Sequence, residues 1–62
     1  MFEVGKLYRL YFWQKDEMIE LWNCRVIAVE MPVVKFDHRG DPMIVNVNSK
    51  GFVRAEPESE SN

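Results

Sequence analysis

The stretch Val4-Gly5-Lys6-Leu7-Tyr8-Arg9-Leu10-Tyr11-Phe12-Trp13 decides the fold class. Its even positions Val4, Tyr8, Leu10 and Phe12 are apolar, and Glu3, Lys6 and Arg9 supply charge, so a period of two predicts a strand with Tyr8, Leu10 and Phe12 toward the core. The odd positions Leu7, Tyr11 and Trp13 are apolar as well, which is more than a solvent-facing side requires. This second face is expected to be covered.

Working outward, the composition agrees with strands. Val and Ile total eleven against five Leu and Ala, and eight residues are aromatic, the mixture that suits a pleated, half-buried surface. Gln14-Lys15-Asp16-Glu17 predicts a short hairpin connection into a long strand from about Met18 to Met31. Trp22, Cys24 and Val26 share one phase and Ile27 and Val29 the other, which predicts a kink near Val26 to Ala28. Pro32 opens or edges the third strand, Val33-Val34-Lys35-Phe36. Asp37-His38-Arg39-Gly40-Asp41-Pro42 reads as a hairpin loop ended by Pro42. Met43, Val45 and Val47 then face inward on a fourth strand, Asn48-Ser49-Lys50-Gly51 forms a tight turn read as one turn of 3₁₀-helix, and Phe52-Val53-Arg54-Ala55 is the fifth strand. The expected core is Tyr8, Leu10, Phe12, Trp22, Val26, Val29, Phe36, Val45, Val47 and Val53.

Five short sequential strands, with a long bent second one and a 3₁₀ turn before the last, resemble a small SH3-like β-barrel. The residues carrying the likeness are Gly5-Lys6-Leu7-Tyr8-Arg9-Leu10, the bent Cys24-to-Val29 segment, Pro32-Val33-Val34-Lys35-Phe36 and Asn48-Ser49-Lys50-Gly51-Phe52-Val53. Ile44 to Ser49 through Phe52-Val53 also looks like small uncharacterised bacterial and phage proteins. The resemblance implies a barrel over residues 1–55, followed by an acidic tail, residues 56–62. Such barrels host peptide binders, Tudor-like readers, KOW-type and Sm-like RNA binders, so the fold alone does not select a function. The acidic, tyrosine-rich first loop and the later tryptophan of polyproline-binding SH3 domains are missing. A Tudor-like cage needs converging aromatics, for which Trp13, Phe36 and His38 are the candidates, against the simpler reading that Trp13 and Phe36 serve the core or an interface.

Sixty-two residues form a single domain with a thin core. One cysteine, Cys24, forms no internal disulfide, and with His38 it is too little for a four-ligand zinc site. No apolar run is long enough to span a membrane and the first residues lack a signal-peptide pattern, so a cytoplasmic location is expected. Residues 1–55 carry a net charge of +1 and the last seven residues add three Glu, for −2 overall. With no apolar residue, the segment from Glu56 to Asn62 is expected to be disordered. A nearly neutral body disfavours sequence-independent nucleic-acid binding.

No catalytic spacing is present. His38 between Asp37 and Asp41 reads as a solvated turn residue, their use as metal ligands needs donors from elsewhere, and Cys24 reads as a small buried hydrophobe. No enzyme activity and no cofactor or metal is expected. Two functions remain. The preferred one is an interaction or assembly module that forms a homo-oligomer, most simply a two-fold dimer, or docks a protein partner through Leu7, Tyr11 and Trp13 with Ile19, Leu21 or Ile44. Its motive is that 29 apolar residues exceed what the inward positions of five short strands accept. The alternative is a small RNA-binding barrel using Arg9, Lys35, Arg39, Lys50 and Arg54 with Tyr11 or Trp13 as a stacking platform.

Overall fold

A computed structural model describes residues 2–59. Five strands form one antiparallel sheet: β1 (Leu7–Gln14), β2 (Glu17–Glu30), β3 (Val33–His38), β4 (Asp41–Asn46) and β5 (Phe52–Pro57). The order across the sheet is β4-β3-β2-β1-β5, so the chain meanders through four strands and β5 returns to the free side of β1. All-β architecture is therefore as expected. The hydrogen-bonded sheet does not close into a barrel, because β4 and β5 are its two edges.

Turn chemistry explains the meander. Lys15 and Asp16 join β1 to β2, and Arg39 and Gly40 join β3 to β4, with all four residues at positive φ. Two-residue turns of this kind carry the twist that matches paired strands. The second turn is tighter than the expected loop. Asp37, His38, Asp41 and Pro42 belong to paired strands, and Pro42 is accommodated because β4 is an edge with one neighbour only. Before β5, the Ser49 amide donates to the Asn46 carbonyl at 3.0 Å and the Phe52 amide to the Ser49 carbonyl at 3.2 Å. These are separate reverse turns. The expected 3₁₀ turn does not form.

Three bulges determine which side chains face inward. Between β1 and β2, Tyr8 pairs with Cys24 but Leu10 pairs with Leu21, so β2 holds one extra residue here, with Asn23 at φ 60°. Between β2 and β3 the register shifts between Val26 and Ala28, which is the expected kink. Between β1 and β5 it shifts because Tyr11 pairs with Arg54 while Phe12 pairs with Phe52, leaving Val53 as the extra residue. Each extra residue reverses the alternation beyond it.

The core follows this corrected phase. Tyr8, Leu10, Cys24, Val26, Val34, Phe36 and Val45 form one buried cluster, with Phe2, Phe12, Leu21, Val29, Met43, Val47, Phe52 and Ala55 partly buried against it. The Phe2 ring meets Tyr8 and Phe36, tying the start of the chain to the core. Two expected core residues are misplaced. Trp22 is 46% exposed, because the bulge at Asn23 turns it away from Cys24, and Val53 is exposed because it is itself the bulge residue.

The last strand runs further than expected. Glu56 and Pro57, assigned to the tail, belong to β5, since Glu56 pairs with Arg9 and Pro57 with Tyr8. Glu58 continues this ladder: its amide donates to the Leu7 carbonyl and its carboxylate accepts from the Asn23 amide, each at 3.0 Å. Residues 60–62 of the expected tail lie outside the described residues.

Candidate interaction surface

The side of the sheet opposite the core is built on β5-β1-β2. Odd residues of β1 point there: Leu7, Arg9, Tyr11 and Trp13. Trp13 lies directly opposite Met18 on β2, and both are about half exposed, at 50% and 45%. Next along the strand, Tyr11 has Glu20 on one side and Arg54 on the other. Beyond it, Arg9 faces Glu56 on β5.

These side chains interlock. The Arg54 guanidinium lies 4.1 Å from the Tyr11 ring centroid and Arg9 lies 3.7 Å from that of Trp22. Arg9 donates to the Tyr11 hydroxyl at 3.2 Å, which in turn donates to Glu56 at 3.1 Å. Glu56 also pairs with Arg54 at 3.1 Å and with Arg9 at 3.6 Å. The hydrogen bond to Tyr11 and the neighbouring Glu58 and Glu56 hold the Arg9 guanidinium above its ordinary pKa against desolvation. Stacking of the two cations on rings and their shared carboxylate tie the outer side chains of β5, β1 and β2 together.

The six residues expected at an interface fall into two groups, Leu7, Tyr11 and Trp13 on β1 and Ile19, Leu21 and Ile44 along a separate groove of about 440 Å³. Leu7, Tyr11 and Trp13 are on the outer side of β1 as read from the sequence, but Leu7 is half-buried and Tyr11 is only 7% exposed, because its own chain covers it with Arg54. Ile19 and Leu21 pair with Phe12 and Leu10 and face the core side, again because of the Asn23 bulge. Ile44 is 72% exposed but stands on the β4 edge, beside Lys35 in a shallow depression of about 260 Å³ with Ala28, Glu30 and Val33. Sequence reasoning missed Met18, Trp22 and Glu20 as outer-face residues. Asn23, a residue tolerant of positive φ inside an apolar run, was the available signal for the reversal.

The basic residues are also divided. Arg9 and Arg54 meet through Glu56, whereas Arg39 is in the β3–β4 turn, Lys50 in the turn before β5 and Lys35 on β3. No aromatic cage forms from Trp13, Phe36 and His38, since Phe36 is fully buried. Asp37 and His38 are successive strand residues that point to opposite faces, and no group of three or more potential metal ligands occurs among the described residues.

On the core side, a groove of about 610 Å³ is lined by Phe2, Tyr8, Phe52, Ala55 and Pro57 together with Glu3 and Lys6. Cys24 is wholly buried, and burial with the nearby Glu58 charge raises its pKa to about 11, so its thiol stays protonated and unreactive near neutral pH. No helix among the described residues is long and apolar enough to cross a membrane. The chain matches no family model, no curated protein and no solved structure.

Proposed function

We propose that this chain is a non-enzymatic interaction module that associates with itself, its sheet forming a partly open SH3-like barrel. The observation that carries the reading is the Trp13–Met18 pair, two large apolar side chains set side by side and half exposed on an ordered three-stranded surface. A tryptophan held on rigid strands gains contact area with a partner at little further loss of conformational entropy. The barrel reading is supported by the strand order and by the bent β2, which pairs with β1 along one part and β3 along the other. A cytoplasmic setting belongs to the same proposal and is consistent with a free thiol at Cys24.

The competing RNA-binding reading is weakened by the same geometry. Its two closest cations, Arg9 and Arg54, share the one carboxylate of Glu56 and are stacked on the chain's own rings, so a phosphate must compete with that carboxylate to reach them. Light scattering after gel filtration, over a concentration series reaching several hundred micromolar, tests the proposal together with titration of a labelled short RNA at physiological salt. The expected result is a mass rising from 7.4 kDa toward twice that value, with only weak RNA binding. A constant monomer mass with tight RNA binding overturns it.

A further inference from the structure

We infer, resting on the self-association reading, that the β5-β1-β2 face meets the same face of a second copy about a two-fold axis running along β1. The cross-strand rows set this choice. At the centre the row reads Arg54–Tyr11–Glu20, a cation on one side of β1 and a carboxylate on the other, with Arg54 held by Glu56 and Glu20 accepting from the Trp22 indole at 3.2 Å, so that a contact between copies adds a second partner to each. Toward the hairpin, Trp13 has Met18 on the β2 side and Gly51 on the β5 side, the Trp13 amide donating to the Gly51 carbonyl at 2.7 Å.

Rotation about an axis along β1 exchanges the positions of β2 and β5 in the facing copy. Each Arg54 then lies over the second copy's Glu20, each Met18 over the second copy's Gly51, and Trp13 meets Trp13. An axis across the strands gives the opposite result, with Arg54 over Arg54 and Glu20 over Glu20. Like charges placed face to face are rejected strongly, so charge selects the first arrangement. Facing sheets cross at about 30°, which spreads the contact away from its centre and separates the two copies of Arg9, each already paired with Glu56.

Size sets the strength. Three strands about 5 Å apart and a run of about 20 Å along β1 give a footprint on the order of 300 Å² per copy. Even with side-chain relief, the total falls below the roughly 1,200 Å² at which stable interfaces begin. The dimer is therefore weak, exchanges quickly and weakens further with added salt, because Arg54 and Glu20 are exposed.

Arg54→Glu and Glu20→Arg, made separately and then mixed, test the face and its axis by light scattering or sedimentation. Each variant alone places like charges at both contacts, and dimerisation is expected to weaken at least about tenfold. In the mixture one copy carries carboxylates at positions 20 and 54 and the other carries cations, so heterodimers regain the strength of the original pair. Circular dichroism checks folding, and Glu20→Arg, at an exposed position, carries the test if Arg54→Glu unfolds. An original chain that dimerises together with single variants that dimerise equally well overturns the axis along β1 while leaving self-association standing. Folded variants that weaken but are not rescued by mixing overturn the pairing of Arg54 with Glu20 between copies, and with it this face. An original chain that stays monomeric throughout overturns the underlying reading.

Discussion

Leu10→Ala is the sharpest perturbation of the core. Leu10 is wholly buried on the strand with neighbours on both sides, opposite Leu21 on β2 and Ala55 on β5. The substitution removes three carbons, worth about 2.4 kcal/mol at about 0.8 kcal/mol each, and leaves a cavity that adds to the loss. A cost of about 3–4 kcal/mol is expected. A chain of this length has a total stability of roughly 3–9 kcal/mol, so the variant should be close to unfolding at room temperature. Ile44→Ala is the control, at a position 72% exposed, and should change stability by no more than about 0.5 kcal/mol. Urea denaturation followed by far-ultraviolet circular dichroism, at a concentration where the chain is monomeric, gives both values. A cost below about 1 kcal/mol for Leu10→Ala, or one as large for Ile44→Ala, would show that the inward phase has been assigned wrongly.

Asn23→Val should lower stability by about 1–2 kcal/mol, because a β-branched residue is strained at φ 60°, whereas Asn23→Gly should be nearly neutral; melting temperatures decide, and an unchanged Asn23→Val refutes the bulge. In a Trp13→Phe background, Trp22 emission should be that of a half-exposed indole open to a soluble quencher, and blue-shifted, protected emission would return Trp22 to the core. Cys24 stays neutral in the fold up to about pH 11 but ionises near 9.0 when unfolded, so stability should be unaffected below pH 9 and fall by up to about 2–3 kcal/mol as pH rises from 9 to 11. Denaturation at a series of alkaline pH values, compared with Cys24→Ala, isolates this slope; identical slopes would show that the thiol does not contribute.

Much of the sheet was legible because its signal is local. Alternation in Leu7 to Trp13 and Met43 to Val47 placed Leu10, Tyr8 and Val45 correctly, and the clash of phases around Ile27 marked the middle bulge. The other two bulges were not legible from alternation. Trp22 and Cys24 are two residues apart and read as one face, yet one residue at positive φ between them sends the tryptophan out. Val53 failed in the same way, since its neighbour Phe52 takes the inward place against Phe12. The start of the expected tail pairs with the sheet because composition does not report backbone pairing: Glu56 and Glu58 are held by ladder bonds and by Arg9, Arg54 and Asn23, interactions that need no apolar side chain. Coverage of Tyr11 by Arg54 depends on a strand 43 residues later in the sequence, a proximity that exists only after β5 has returned to β1.

Amide and indole chemical shifts recorded through a dilution series report, residue by residue, on the proposed contact of the outer β5-β1-β2 face with a second copy. Concentration-dependent shifts confined to that face are expected, strongest at the Trp13 indole and at Tyr11, Met18, Glu20 and Arg54, with Asp41 to Asn46 of β4 unmoved. Spectra that do not change between the most dilute and most concentrated samples, or shifts that gather on β4 instead, would contradict that contact.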